Sequence, residues 1–219
     1  MGGLIYKETA GLLSLYRKNL VLVAILYGAM ALALKNSFFL YFGVWMMGFY
    51  ALSSFSLDEQ SGWGRYARTL PVSDFQVVAA KYVSAMVFML LGVTYGVAMG
   101  VLWSMVDSTF RWLEFLVPMA VVSAIALLSM AVMFLLAVKY GTEKARNFFL
   151  VFFLVLFGGF FLLGETNLLG EFPVEKLAGA AAWVEGNMVL SALLALLIAA
   201  AVLVVCFFAA AAIYRRKEF

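Results

Sequence analysis

The sequence has no histidine, a single cysteine and few charged residues. Only 12% of its 219 residues are charged. Without histidine, the chain cannot build a histidine-dependent zinc site, a His-ligated haem, or a Ser-His or Cys-His catalytic pair. Because Cys206 is the one cysteine, no disulfide can form within the chain, and cysteine usage does not indicate a redox compartment.

What the chain does contain is overwhelmingly apolar. Hydrophobic residues make up 66% of it and aromatic residues 16%, whereas a soluble domain is typically about half apolar. Such a composition leaves too little polar surface to face water all round. We therefore expect an all-α integral membrane protein, because backbone polar groups in lipid must be satisfied within each segment.

Six apolar runs approach the roughly 20 residues that a transmembrane helix needs. They are Asn19–Leu34, Phe38–Phe55, Gln76–Met105, Leu116–Val138, Asn147–Leu163 and Met188–Ile213. Only Lys35–Ser37 separates the first two runs, which predicts a tight hairpin. The first run also resembles a secretory signal, with basic residues before it and "ALA" at Ala31–Ala33 as a cleavage site. We favour an uncleaved span, because its leading segment is long and the next run starts almost at once.

The distribution of lysine and arginine predicts that both termini are cytoplasmic. With that orientation, all but three of the 15 basic residues lie inside, including Lys81 near the start of the third run. The three outside are Lys35, Arg111 and Lys176. No ionisable residue is expected deep within a span. Ion-coupled transporters and intramembrane enzymes usually need such groups, so energy for transport is expected to come from elsewhere.

One charged and aromatic stretch, "SFSLDEQSGWGRYARTLPVSDF" at Ser54–Phe75, interrupts the apolar runs. Ser56 followed by Glu59 matches the capping box that starts a helix. A helix from Asp58 would bring four side chains close to one face. Two glycines would weaken this helix and allow another backbone to approach it closely. Pro71 would end it. The four are Glu59, Trp63, Tyr66 and Leu70, and the glycines are Gly62 and Gly64.

A second capping box, Ser73 with Gln76, is expected to open the third span. A helix from Ser73 to Met105 would be roughly 50 Å long at 1.5 Å per residue, which exceeds the lipid core. Its first turns should therefore stand in the cytoplasm and carry the charged stretch on a stalk. The alternative is a solvated loop whose Trp63 lies among the lipid headgroups.

The stretch Tyr50–Val83, "YALSSFSLDEQSGWGRYARTLPVSDFQVVAAKYV", resembles the cytoplasmic loop of type-2 ABC exporter permeases. In that family an acidic stretch and a Trp precede an "LPVS" turn, which leads into a helix containing "AKY". Six spans with both termini inside also match. The most similar group is the permeases that export phenol-soluble modulins and similar amphipathic peptides. Outside the loop, the resemblance is limited to topology and apolarity.

The resemblance implies a coupling helix over Asp58–Thr69 that docks on a separate ABC ATPase subunit. It also implies a working unit of two ATPases and two permease chains, identical or homologous, with ATP and Mg bound on the ATPases. This chain has no "GxxxxGK[ST]" motif of its own, and we expect no cofactor, metal, catalytic residue or nucleic acid on it. The residues expected to couple to the ATPase are Asp58, Glu59, Gly62, Trp63, Arg65, Tyr66, Thr69, Leu70, Pro71, Thr142 and Glu143.

Two further cytoplasmic elements are predicted. Residues 1–18 form an amphipathic helix with Glu8 interrupting its apolar arc, which indicates an interfacial helix on the inner leaflet. The resemblance implies an elbow helix that also touches the ATPase, and a plain basic anchor is the alternative. The stretch "KYGTEKAR" is expected to end the fourth span at Gly141 and to start the fifth with Thr142 as N-cap. It is either a connector or a second ATPase contact.

Within the membrane, two patterns suggest contact surfaces. Small residues at every fourth position allow another helix to pack closely, either in the same chain or in a dimer; they are Gly92, Gly96, Gly100 and Ser104. The fifth span carries a ladder of Phe149, Phe153, Phe157 and Phe161. This ladder either contacts lipid and other helices or forms a wall that holds an apolar substrate.

The predicted extracellular loop, residues 164–187, is acidic, and Pro173 could start a short helix in it. Taken together, we expect the permease half of an ABC exporter in a bacterial plasma membrane, moving an amphipathic peptide or another hydrophobic substrate. One alternative is a membrane scaffold or regulatory subunit that moves nothing. Another is a small secondary transporter or channel, which the lack of buried charge disfavours.

Overall fold

The computed structural model describes residues 1–165, 179 and 182–216, and the regular elements of these residues are helices. The helices are α1 Gly2–Leu34, α2 Phe38–Phe49, α3 Ser53–Ser61, α4 Trp63–Ala67, α5 Asp74–Val106, α6 Trp112–Tyr140, α7 Thr142–Glu165 and α8 Met188–Arg216. A short 3-10 turn, Tyr50–Leu52, joins α2 to α3. The all-helical prediction is confirmed for the described part of the chain.

Five helical stretches are long and apolar enough to cross a membrane. They are Gly2–Leu34, Phe38–Ser61, Asp74–Val106, Trp112–Tyr140 and Met188–Arg216, and they contain five of the six predicted spans. The remaining run, Asn147–Leu163, lies within α7, which is not among the five. Six spans and the cytoplasmic side of both termini therefore stay predictions. Most of the loop at 164–187 lies outside the described residues.

The predicted elbow helix and the first span form one continuous helix, α1, of 33 residues. The boundary expected near residue 18 is not a break in the helix, because no proline interrupts this segment. Leu4 and Leu12 are buried against the protein core, whereas Leu15 is exposed. The helix ends at Lys35, whose left-handed backbone (φ 49°) makes the tight hairpin that the sequence predicts.

The helix start predicted at Ser56 is wrong. The helical course continues from α2 through the 3-10 turn into α3, because no proline or glycine ends it before Gly62. Ser56 lies inside α3, and its hydroxyl accepts a hydrogen bond from Gln60 Nε2 at 3.2 Å. Gly62 adopts a left-handed conformation (φ 67°) and separates α3 from α4. The predicted coupling helix Asp58–Thr69 is therefore split in two.

The second capping box is confirmed. Ser73 Oγ accepts a hydrogen bond from the Gln76 N–H at 3.3 Å, and Gln76 Oε1 accepts one from the Ser73 N–H at 3.2 Å. This reciprocal pair satisfies two backbone donors that an uncapped helix would leave free. It opens α5 at Asp74, within one residue of the predicted start.

The core lies where α6 packs along α8 and α2 packs along α5. Phe88 and Phe134 are fully buried there. Phe55 of α3 and Tyr82 of α5 both meet Phe134 edge to face, with ring centroids 4.8 Å and 5.2 Å away. The short helix α3 is thereby attached to the same aromatic cluster as the long helices.

The small residues of α5 pack within the chain. Gly92, Gly96 and Gly100 are all buried. A Cβ atom on Gly92 would lie 2.9 Å from the backbone oxygen of Val44 in α2, and one on Gly100 would lie 2.7 Å from Phe115 in α6. These glycines therefore allow α5 to approach α2 and α6 more closely than any larger residue would.

Candidate functional site

The charged stretch folds onto the ends of the long helices. We refer to residues 53–67, which form α3 and α4, as the α3–α4 segment. On its inner side, Phe55 and Ala67 are buried in the core. On its outer side, the exposed residues run on through the turn that follows it. They are Glu59, Gln60, Ser61, Gly62, Arg65, Tyr66, Arg68, Thr69 and Pro71. The segment is thus anchored on one side and accessible on the other.

Beneath this segment lies an ion cluster formed by Lys7, Glu8, Ser54, Asp58 and Lys81. Its centre is Lys81 Nζ on α5, which lies 2.5 Å from Asp58 Oδ2 and 3.4 Å from Glu8 Oε1. The same ammonium group donates a hydrogen bond to Ser54 Oγ at 2.7 Å. One buried lysine therefore contacts both α1 and α3.

A second ammonium group balances the charge of the cluster. Lys7 Nζ lies 2.7 Å from Asp58 Oδ1 and 3.0 Å from Glu8 Oε1. Each carboxylate thus contacts both lysines, and the four charges sum to zero. The Ser54 hydroxyl donates to Glu8 Oε2. The side chains of Glu8 and Lys81 are each only 4% exposed, so these charges interact in surroundings that screen them far less than water does.

Aromatic rings cover the cluster. Lys81 Nζ lies 4.7 Å from the centre of the Phe55 ring, and Lys7 Nζ lies 4.0 Å from the centre of the Trp63 ring. Both separations are within the range of a cation–π contact. Trp63 is half-buried, and its ring centroid is 5.4 Å from that of Tyr66. Trp63, which the sequence predicts as a docking anchor, therefore packs largely within the chain, whereas Tyr66 is 57% exposed.

The carboxylate of Glu59 lies at the N-terminus of α7. Its Oε1 and Oε2 atoms are 3.0 Å and 3.2 Å from the Thr142 backbone nitrogen, and the Thr142 hydroxyl also donates to it. Helix α7 begins at Thr142 itself, after Gly141 with φ 90°. The prediction that Thr142 caps this helix is therefore wrong, because the capping carboxylate comes from α3. Glu59 does not lie on one helix with Trp63 and Tyr66, because Gly62 intervenes.

Two open clefts flank the α3–α4 segment. One has a volume of about 570 Å³ and is lined by residues of both signs, among them Asp58, Arg65 and Lys81, with Tyr214 of α8 on its wall. The other, of about 540 Å³, is lined by Glu143 and Arg146 among others. Glu59 lines both clefts. Polar groups of the predicted coupling residues are therefore accessible from two sides of the segment.

Four cluster residues were not among the predicted site residues: Lys7, Glu8, Ser54 and Lys81. From the sequence, Glu8 is an interruption of an apolar arc and Lys81 is one of the basic residues on the cytoplasmic side. In the structure both side chains are buried. A signal was available, because each is a lone charge on an otherwise apolar helix face and the two have opposite signs. Ser54 and Asp58 are also four residues apart, which places them on one face of a helix.

The remaining predicted residues lie in different surroundings. Thr69 Oγ1 donates a hydrogen bond to the Tyr66 carbonyl at 2.8 Å, and Leu70 is half-buried. Phe149 is half-buried, with its ring centroid 5.5 Å from that of Phe49 in α2. The side chains of the other ladder residues, Phe153, Phe157 and Phe161, lie outside the described residues. Within the described part of the chain, no group of His, Cys, Asp and Glu side chains is placed to hold a metal ion.

Comparison with known proteins identifies one family. A family model described as ABC-2 family transporter protein matches residues 3–215. The matched range includes almost the whole chain, from the start of α1 to the last turn of α8. No curated protein and no solved structure matches the chain.

Proposed function

The chain belongs to the ABC-2 family of transporter proteins and is a multi-pass membrane permease component of such a transporter, and we propose that it exports an amphipathic peptide or another hydrophobic substrate. Permeases of this family generally pair with ABC ATPase subunits, since the membrane domain lacks an ATPase domain. In the proposed complex, two ATPases that bind ATP and Mg drive two permease chains in a bacterial plasma membrane. The α3–α4 segment faces the cytoplasm and receives the ATPase.

One observation carries this proposal: the α3–α4 segment is accessible on one side and bonded to membrane helices on the other. Its exposed side presents Tyr66 and Arg65, the residue types that dominate protein–protein binding hot spots. Its inner side is tied to α1 and α5 through the ion cluster and to α7 through Glu59. A displacement imposed by a soluble partner would therefore reach three long helices. A scaffold that moves nothing has no need of these connections.

The docking surface can be tested by co-expression with the partner ATPase. We expect Tyr66→Ala to lower ATPase affinity by about 30-fold, which corresponds to roughly 2 kcal/mol. The matched control is Phe38→Ala, which removes a similarly exposed aromatic from the first residue of α2, whereas Tyr66 lies in α4. ATPase co-purification and export are measured for both. Wild-type values for Tyr66→Ala would count against docking at this surface.

The assembly can be tested with the same preparation. The permease purified alone should not hydrolyse ATP. The co-expressed complex should contain two permease chains and two ATPases, which native mass spectrometry can count. A stable, active complex with a single permease chain would contradict the proposed arrangement.

We propose that the phenylalanine ladder of α7 forms part of the substrate path. Phe149 packs against Phe49 of α2, which supports an apolar face directed toward neighbouring helices at that end of α7. Replacing both Phe153 and Phe157 with alanine should lower export and substrate-stimulated ATP hydrolysis while the complex still assembles. Cysteine labelling that places both positions against lipid, together with unchanged export, would contradict this assignment.

A further inference from the structure

We propose that Lys81 is a positioning residue for coupling: through the ion cluster it makes the α3–α4 segment and the N-terminal end of α1 move as one unit with α5. The inference rests on the proposed function, because it presumes that a partner ATPase acts on the α3–α4 segment. It goes further by assigning a role to Glu8, Ser54 and Lys81, which are almost fully buried beneath the docking surface.

Burial of the charges is the first support. Among the described residues, Glu8 and Lys81 are the only charged residues that are buried. Removing two charges from water is costly, and apolar residues of similar volume often stabilise a protein as well or better. In a chain so rich in apolar side chains, stability alone does not account for the buried charges of Glu8 and Lys81. A role in fixing the relative position of the helices accounts for them, because such a charge network forms only in a single arrangement.

The connections of the cluster are the second support. Lys81 joins α5 to Asp58 of α3 and to Glu8 of α1, and Lys7 closes the ring by contacting both carboxylates. Apolar contacts between helices tolerate sliding, whereas these directional contacts are lost when any of the three helices shifts by a few ångströms. The cluster therefore favours concerted movement of all three.

The course of α5 is the third support. Lys81 lies in its second turn, and the helix continues without a break to Val106. Eleven positions further along the same helix, Gly92 meets the backbone of α2 closely, since a Cβ there would lie 2.9 Å from Val44 O. A displacement that enters α5 at Lys81 therefore reaches this close contact with the α2 backbone directly, through one continuous helix.

The test is a combined neutral variant, Glu8→Gln/Asp58→Asn/Lys81→Met, in the complete permease–ATPase complex reconstituted in proteoliposomes. It removes the charges together, so that no unpaired charge stays buried, and Lys7 remains accessible to water. We expect the complex to assemble and hydrolyse ATP but to transport about tenfold less substrate per ATP, a size typical of coupling between two sites. Wild-type transport per ATP in this variant would overturn the inference.

Two further variants keep the result interpretable. Ser123→Ala removes another buried polar side chain, whose hydroxyl donates a hydrogen bond to the Met119 carbonyl of its own helix, and it should leave transport per ATP unchanged. If the combined variant does not fold, Asp58→Asn is used alone, because that side chain is 15% exposed. It should lower transport per ATP several-fold, and an unchanged ratio would overturn the inference. If the wild-type permease does not bind the ATPase at all, the proposed function is overturned instead.

Discussion

The carboxylate of Glu59 caps the helix that begins at Thr142, although 83 positions separate the two residues. Both carboxylate oxygens lie within hydrogen-bonding distance of the Thr142 N–H. A helix N-terminus carries unsatisfied N–H groups and a partial positive charge, so a carboxylate there is favourable on both counts. The α3–α4 segment thus supplies a cap that local residues of α7 do not.

Removing this cap should destabilise the permease. We expect Glu59→Ala to lower the free energy of unfolding by about 1 kcal/mol, as the loss of a helix cap typically does. The measurement is thermal unfolding in detergent. The control is Glu143→Ala, which removes an exposed carboxylate from the first turn of the same helix. Equal shifts for the two variants would show that charge near the helix end, and not the Glu59 contact, is responsible.

Local signals in the sequence predicted local structure well. The capping box at Ser73 and Gln76, the hairpin at Lys35–Ser37 and the end of α6 before Gly141 all follow from residues close together in the chain. The capping pattern at Ser56 failed, although its residues fit. A capping box acts only where the preceding residues are not helical, and here the helix of α2 continues through it.

Long-range contacts could not be predicted in the same way. Glu59 and Thr142 are 83 positions apart, and Glu8 and Lys81 are 73 apart. A single sequence shows that Glu8 and Lys81 are each out of place on an apolar face, but not that the two faces meet. The fold class followed from composition, because a chain this apolar has few other ways to satisfy its backbone. The contacts in the interior of the candidate site could not be predicted in this way, because they depend on how the helices pack.

The close approach of α5 to α2 makes a prediction about Gly92. Gly92→Ala should lower stability by about 1–3 kcal/mol, the usual cost of overpacking, because the new methyl group would meet the backbone of Val44, which cannot move aside. Gly11→Ala is the control, since a Cβ there would have nothing within 4 Å. It should be neutral or stabilising, because alanine favours helix more than glycine does. Thermal unfolding in detergent compares the two variants.

Replacing Trp63 with alanine should affect the stability of the permease more than replacing Tyr66. Trp63 is half-buried and its ring packs against Lys7, so Trp63→Ala should lower the free energy of unfolding by about 2 kcal/mol through lost packing. Tyr66 is 57% exposed, so Tyr66→Ala should change stability by less than about 0.5 kcal/mol. Chemical denaturation of the isolated permease measures both. A Trp63→Ala protein as stable as the wild type would contradict the packing described for that ring.

Helix α7 is expected to cross the membrane. Its charged residues lie at its two ends, at Glu143, Lys144 and Arg146 in the first turns and at Glu165 as the last residue, and no charge lies between residues 147 and 164. At 1.5 Å per residue its 24 residues extend about 36 Å, which exceeds a hydrocarbon core of about 30 Å. A charge at the centre of a span costs about 3 kcal/mol, whereas one near an end can reach the interface.

The prediction that α7 spans the membrane is tested by finding on which side of the membrane each of its ends lies. In a Cys206→Ala background, Glu143→Cys and Glu185→Cys are each labelled with a membrane-impermeant maleimide, from the outside of intact cells and from inverted vesicles. Both native side chains are exposed, so both positions should react. Six spans predict that Glu143→Cys reacts only from the cytoplasmic side, like the reference Ser61→Cys, and that Glu185→Cys reacts only from the outside, like Asn36→Cys. Labelling of both ends of α7 from the same side would show that α7 does not span, leaving five spans with the two termini on opposite sides of the membrane.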